Sequence, residues 1–333
     1  MTKDCLQTIL SAWEARGKGE RLAALAQGAG MTPHRLMWLT ERFIAGGLDR
    51  VARASDELGW VQIGLIVSPQ ASAEAIGHSS LLAVVSRWQG EGLIRRFWFM
   101  RKPPGFRLRF EVPAEREDEL RRAVEDLVRD LIASGACGGH ELGIYDPEVF
   151  QFGGEAGLEV AHDWFAADSL LCLEYLRERA GGRAAPAPMV MGLMVTHHLF
   201  RGVCLDDWEA WDCWRRMDLA GRRPPVFEDT RPEVEKRHRA VRARLAALVA
   251  AHRELPNRLG GELGRMLGQW YEANRRATAG LAAAAKRGEL LYGPRLIVPW
   301  MAIFHWNRLG LAIVDQHSLV YQMQALLDPK QER

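Results

Sequence analysis

Apolar positions recur at three- and four-residue spacing over residues 1–58, with Leu6, Ile9, Leu10 and Trp13 on one helical face. A second short helix is predicted over Arg21–Gln27, stopped near Gly28-Ala29-Gly30. A third opens at Thr32-Pro33, with Thr32 as N-cap and Pro33 in the first helical position. At Trp60 the period shortens to two. Trp60–Val67 reads as a strand ended by Ser68-Pro69, followed by a helix over 72–89 capped by Ser72 with Leu81, Leu82, Val85 and Trp88 apolar. The stretch Phe97–Phe110 reads as two strands joined at Pro103-Pro104-Gly105. A helix over 114–133 places Leu120, Val124, Leu127 and Leu131 inward, Gly135 to Gly139 break it, and Leu142–Tyr145 forms a last strand.

Strand, helix, two strands, helix, strand is a ferredoxin-like order, which predicts an antiparallel sheet with helices on one face. Beyond Gly154 the pattern is helical: 156–179, 189–202, 205–217, 232–254, 261–287 and 298–327, with loops at Gly181–Pro188 and Gly221–Pro225. Trp208, Trp211 and Trp214 stand at three-residue steps, the spacing of a packing stripe. The fold class is therefore α+β: a ferredoxin-like sheet, a mostly helical C-terminal half, and a small helical N-terminal module. The division expected is 1–58, suited to peptide docking, and 59–333.

Composition narrows the function. With 48% hydrophobic and 26% charged residues the chain is of ordinary globular type. A net charge of +2 supplies no whole-molecule field for nucleic acid. The helix-glycine-helix pattern near the N-terminus resembles a DNA-binding helix-turn-helix, but residues 1–58 hold eight basic against seven acidic side chains. No apolar run long enough to span a membrane and no signal-peptide core is present, so a cytoplasmic location is expected. Cys5, Cys137, Cys172, Cys204 and Cys213 are scattered and odd in number, which opposes a disulfide framework. A zinc site built from Cys204, Cys213 and a distant histidine fits no common ligand spacing.

Three stretches carry polar groups that packing alone does not require. In the first, Arg107 and Arg109 alternate with Phe106, Leu108 and Phe110, so both arginines share one strand face, and Arg101 before the turn is positioned to join them. Guanidiniums fixed on a sheet make a receptor for carboxylates; a solvated strand face with surface ion pairs is the plainer alternative. The second runs Tyr145-Asp146-Pro147-Glu148 to Phe152-Gly153-Gly154, where the glycine pair precedes a helix whose N-terminal amides could hold an anion. The third is Phe304-His305-Trp306-Asn307-Arg308-Leu309-Gly310, with His305 and Arg308 neighbours on one helical face. It serves either as a proton-carrying site or as a polar knot joining helix to sheet. His197 and His198 are a weaker pair, because adjacent helical residues point about 100° apart.

With these stretches quoted, the chain from about Trp60 onward resembles the stand-alone thiopeptide-type bacteriocin biosynthesis proteins. That family is related to the C-terminal glutamate-elimination domain of class I lanthipeptide dehydratases and to thiopeptide pyridine synthases. The likeness rests on Trp98-Phe99-Met100-Arg101-Lys102 with Arg107-Leu108-Arg109-Phe110, and on Tyr145-Asp146-Pro147-Glu148 with Phe152-Gly153-Gly154. Ala161-His162-Asp163 with Asp168-Ser169, and the 304–310 stretch, complete it.

The resemblance implies work on a ribosomal precursor peptide, leader and core, alongside a separate tRNA-dependent glutamylating dehydratase subunit. Glutamate elimination would leave dehydroalanine or dehydrobutyrine. The alternatives are a formal [4+2] cycloaddition forming a pyridine with leader release, and a non-catalytic peptide-binding subunit. For elimination it implies Arg101 and Arg107 or Arg109 on the carboxylates or enolate and His305 as base or acid. Tyr145, Gly153, Gly154, Asn307 and Arg308 would contact substrate. No metal, cofactor, membrane or direct nucleic-acid partner is implied. Two positions depart from the family pattern: Phe106 stands where members often carry His, and Gln151 where full-length dehydratases carry Arg.

Overall fold

The computed structural model describes residues 3–55, 59–67, 76, 80–102, 104–182, 185–219 and 226–330. Ser68-Pro69, the expected Ser72 cap, Pro103 and the Gly221–Pro225 loop lie outside the described residues. The chain divides into two compact units, Met1–Leu58 and Gly59–Arg333.

In the first unit, α1 (Lys3–Glu14), α2 (Gly19–Gly28) and α3 (Pro33–Ser55) pack around Ala12, Ala26 and Leu36. Thr32 Oγ1 accepts the Arg35 amide at 3.2 Å, so the expected cap forms. Leu10 is 42% exposed, which leaves Ile9 and Ala12 to carry the buried face of α1.

The second unit opens with β1 (Gly59–Ile66), α4 (Leu81–Gly90), β2 (Arg96–Lys102), β3 (Gly105–Val112), α5 (Glu117–Ala133) and β4 (Gly139–Gly143). The strands pair antiparallel in the order β2-β3-β1-β4, the ferredoxin-like arrangement. The last strand sits earlier than Leu142–Tyr145 because β1 keeps pairing to Ile66↔Gly139, with the Gly138 amide donated to Ile66 O at 2.8 Å. Register sorts the side chains by pleat. Phe97 faces Phe110, and Leu108 lies between Phe99 and Ile63; Trp88 of α4 closes on Phe110 with ring centroids 5.7 Å apart. The opposite pleat carries Trp98 beside Arg109 and Met100 beside Arg107.

That second pleat is covered too. The remaining chain forms α6 (Glu155–Ala180), α7 (Pro188–Arg201), α8 (Asp207–Leu219), α9 (Val226–Ala250), α10 (Leu255–Leu259), α11 (Gly261–Lys286), α12 (Pro294–Leu309) and α13 (Ile313–Leu327). Phe165 of α6 and Phe304 of α12 stack on each other at 5.0 Å, and both lie against Trp98. The sheet is therefore sandwiched, where one helical face was expected. Arg96, 4% exposed on β2, pins α6 to the sheet through Glu159 and Asp163, with Glu111 of β3 alongside.

The final helix expected over 298–327 is two. Gly310 adopts φ +77° and its amide returns to Asn307 O, while the Leu311 amide returns to Trp306 O at 3.0 Å, closing a left-handed cap. A side chain at Gly310 would collide with the Arg101 guanidinium. The tryptophan stripe winds off its face, because three-residue steps lag the helical period: Trp214 is fully buried whereas Trp208 is 52% exposed.

Candidate active site

Where α6 and α12 cross the sheet, Asp168 gathers a buried polar knot. Its Oδ1 accepts from His305 Nδ1 and Trp270 Nε1, each at 2.7 Å, and its Oδ2 accepts from Arg308 Nη1 at 2.6 Å. Arg308 Nε donates to Phe99 O at 2.9 Å, and the Phe99 amide donates to Ser169 Oγ at 3.1 Å. Asp168, His305 and Arg308 have no exposed surface. Burial alone would raise the Asp168 carboxyl, but His305, Arg308 and Trp270 outweigh it and hold it down at about 2. One carboxylate thus ties α6, α11 and α12 together, and Arg308 extends the tie to β2.

This arrangement corrects the role expected of His305. Trp164 and Trp270 flank its ring at 6.1 and 5.8 Å, and a group with no exposed surface does not meet a peptide Cα. The polar-knot reading describes it. Asp168, Cys172 and His305 also present ligand-type atoms within 4.8 Å of one another. Both Asp168 oxygens are taken by N–H donors, the Arg308 cation lies alongside, and burial pushes the Cys172 thiol well up, so these residues do not suit a cation.

A second cluster of polar groups lies around Arg109. Its guanidinium lies over the Trp98 ring at 4.1 Å and the Tyr145 ring at 4.9 Å, and Nε donates to Gln62 Oε1 at 2.7 Å. Gln62 Nε2 donates in turn to Ile144 O at 3.2 Å, so β1 fixes both the arginine and the entry to Tyr145. Burial pulls Arg109 down to about 10; Tyr145 and Glu148 oppose it, while Arg107 and Arg308 add to it. Among the described residues Arg109 Nη1 and Arg308 Nη2 have no acceptor, and Arg308 lies 5.5 Å from the same Trp98 ring. Arg308 has no exposed surface, so Arg109 is the guanidinium of the two that is chemically suited to an incoming oxyanion.

Tyr145 OH and His162 Nε2 are 2.6 Å apart. His162, 4% exposed, sits among Trp60, Trp98 and Phe165, and burial reinforced by Arg96 and Arg109 drives it down to about 3. Burial pushes the Tyr145 phenol up, with Arg109 opposing. At neutral pH the pair is phenol and neutral imidazole.

The other expected residues divide. Arg107 shares the Arg109 pleat and makes no ion pair or hydrogen bond among the described residues. Arg101 is across from Phe106, in the pleat of Phe97 and Phe99, so the three arginines do not form one face; its guanidinium lies over Phe106 and against Gly310. The Gly153 and Gly154 amides already donate to Phe150 O and Val149 O, which removes them as anion donors. Gly153, at φ +83°, is needed for packing, since a Cβ would lie 2.8 Å from Ile297 Cδ1. Asn307 Oδ1 accepts from Gln316 Nε2 at 3.0 Å and braces the α12–α13 corner. His197 meets His252 at 5.0 Å, and His198 stacks on Tyr271 at 3.8 Å while also lying 6.4 Å from His252.

Sequence reasoning quoted His162 and Asp168 within a motif and gave them no role, and it passed over Gln62. A charged residue inside the apolar run from Trp164 to Cys172 was the available signal, because burying it demands partners.

Buried histidines also set an acid limit. Burial lowers His197 to about 3 and His198 to about 4, alongside His162 at about 3. Their folded values lie below the unfolded value near 6.5, so the unfolded state takes up more protons as pH falls, and the stability present above pH 6.5 drains away toward pH 3–4. Each histidine contributes a slope of about 1.4 kcal/mol per pH unit once pH is well below 6.5. Urea midpoints measured from pH 7.5 to 5 should fall steadily, and His197→Gln should make the fall shallower by one proton's worth.

No helix among the described residues is long and apolar enough to cross a membrane. No curated protein matches the chain. Among solved structures, the tRNA-dependent lantibiotic dehydratase MibB from Microbispora sp. 107891 aligns at 20% identity and TM-score 0.58, over 81% of this chain and 28% of MibB. TsrL aligns at 15% identity and TM-score 0.58, over 82% of this chain and 95% of TsrL. TbtD, a pyridine synthase from thiomuracin biosynthesis, aligns at 16% identity and TM-score 0.61, over 81% of this chain and 98% of TbtD. At these identities the likeness is one of fold. Residues 60–327 match the family described as lantibiotic biosynthesis dehydratase C-term, and the chain belongs to that family.

Proposed function

We propose that the chain matures a ribosomally made peptide by β-elimination of glutamate from glutamylated Ser or Thr, alongside a separate tRNA-dependent glutamylating subunit. The observation that carries this reading is Arg109, whose guanidinium lies against Trp98 and Tyr145 and whose Nη1 has no acceptor among the described residues. Elimination breaks the Cα–H and Cβ–O bonds, forms the Cα=Cβ bond and releases glutamate as a carboxylate. Negative charge builds on the neighbouring carbonyl and on the departing oxygen, where fixed donors act most strongly. Arg109 with the Tyr145 hydroxyl suits the first and half-buried Arg107 the second. Glu148, whose charge acts on both Arg109 and Tyr145, takes the Cα proton.

A second reading, pyridine-forming cycloaddition of two dehydroalanines, is supported by the likeness in fold to TbtD, at TM-score 0.61. The same donors would then polarise an amide carbonyl. Mass spectrometry of a glutamylated precursor incubated with the protein separates the two. Loss of one glutamate per site with wild type, and none with Glu148→Gln, supports elimination. An unchanged peptide sinks that reading, and leader release from a bis-dehydroalanine peptide would replace it with the second. A protein inert on both is a peptide-binding subunit.

A further inference from the structure

We propose that His162 is a positioning residue that donates its Nε2–H to the Tyr145 oxygen and so directs the Tyr145 hydroxyl proton out toward the substrate. The 2.6 Å separation fixes a hydrogen bond between the two groups without stating which one donates. The surroundings decide it. Arg109 lies over Tyr145 and its Nη1 has no acceptor among the described residues, so the species this space suits is an oxyanion. A phenol that spent its proton on His162 would present lone pairs to that oxyanion and repel it. A phenol that accepts from His162 presents its proton instead, and the chain N–H to O–H to oxyanion polarises in one direction.

The imidazole is built for that task. Trp60 and Trp98 hold its ring at 4.8 and 6.2 Å, with Phe165 at 6.4 Å, which leaves it little freedom to turn. Arg95, Arg96 and Arg109 all oppose a charge on it, Glu159 being the acid that faces it, so it keeps a single N–H to place. His162 is then reached by substrate only through Tyr145.

The kinetic half of the test rests on the elimination reading and the spectroscopic half does not. In protein carrying 15N-histidine, the His162 signals are assigned by their loss in His162→Gln. Nε2 should resonate as a protonated, pyrrole-type nitrogen coupled to a hydrogen. In turnover of glutamylated peptide, His162→Phe, which keeps an aromatic ring in the cage, should lower kcat about 10–100-fold with KM within two-fold. His162→Gln, which retains an N–H, should recover most of that loss. A bare, pyridine-type Nε2, or a His162→Phe enzyme within two-fold of wild type, overturns the proposal. A wild type that leaves the glutamylated peptide intact removes the elimination reading, and the nitrogen spectrum alone then decides for or against the hydrogen bond.

Discussion

Asp168→Ala should lower the unfolding free energy by about 3–5 kcal/mol, enough to leave a marginal domain unfolded at room temperature. Arg308 has no exposed surface and Asp168 is its carboxylate partner, while His305 Nδ1 and Trp270 Nε1 lose their acceptor in the same step. Burial already depresses Arg308, so removing the counter-charge strands a guanidinium in an apolar setting. Asp168→Asn keeps an acceptor for one donor and should cost less. The double variant Asp168→Leu, Arg308→Leu removes both charges and should recover part of the loss. Urea unfolding followed by tryptophan fluorescence reads all three. A single variant within about 1 kcal/mol of wild type would show that the knot does not hold the helices to the sheet.

Arg109→Met should do the reverse: turnover of a glutamylated peptide drops by about 10²–10³, the size of losing one preorganised donor to developing charge. Stability should stay within about 1 kcal/mol of wild type, because the methionine fills the space beside Trp98 and relieves a desolvated cation whose Nη1 has no acceptor. Glutamate release timed by mass spectrometry and a urea titration on the same sample suffice. Equal turnover would remove Arg109 from the chemistry; a collapse in stability would make it a structural cation like Arg308.

Periodicity carries the fold class. The change from helical spacing to alternation at Trp60, and back after Gly154, marks the strands and their sequence along the chain because each strand's side-chain pattern is local. What local pattern does not carry is pairing partners. Counting along the chain groups Arg101 with Arg107 and Arg109, yet the β2–β3 register pairs Arg101 with Phe106 and so assigns it to the opposite pleat. Spacing in 304–310 likewise marked His305 and Arg308 as neighbours. Their burial depends on Asp168, 137 and 140 residues away, which no window along the chain contains. Tyr145 was found through its motif, but its partner His162 lies on another element, and only the packing of α6 on Trp60 and Trp98 joins them.

The length of those connections matters while the protein is being made. Arg308 reaches back 209 residues to the Phe99 carbonyl. At about 5–20 residues per second, a ribosome needs roughly 10–40 s to deliver one after the other. During that interval the sheet face bearing Trp98 has no α12 to cover it, and the Asp168 carboxylate has neither of its partners on that helix. The nascent chain can bring Phe165 of α6 onto Trp98 early, but the Phe304 side of that indole stays open until the last helices emerge.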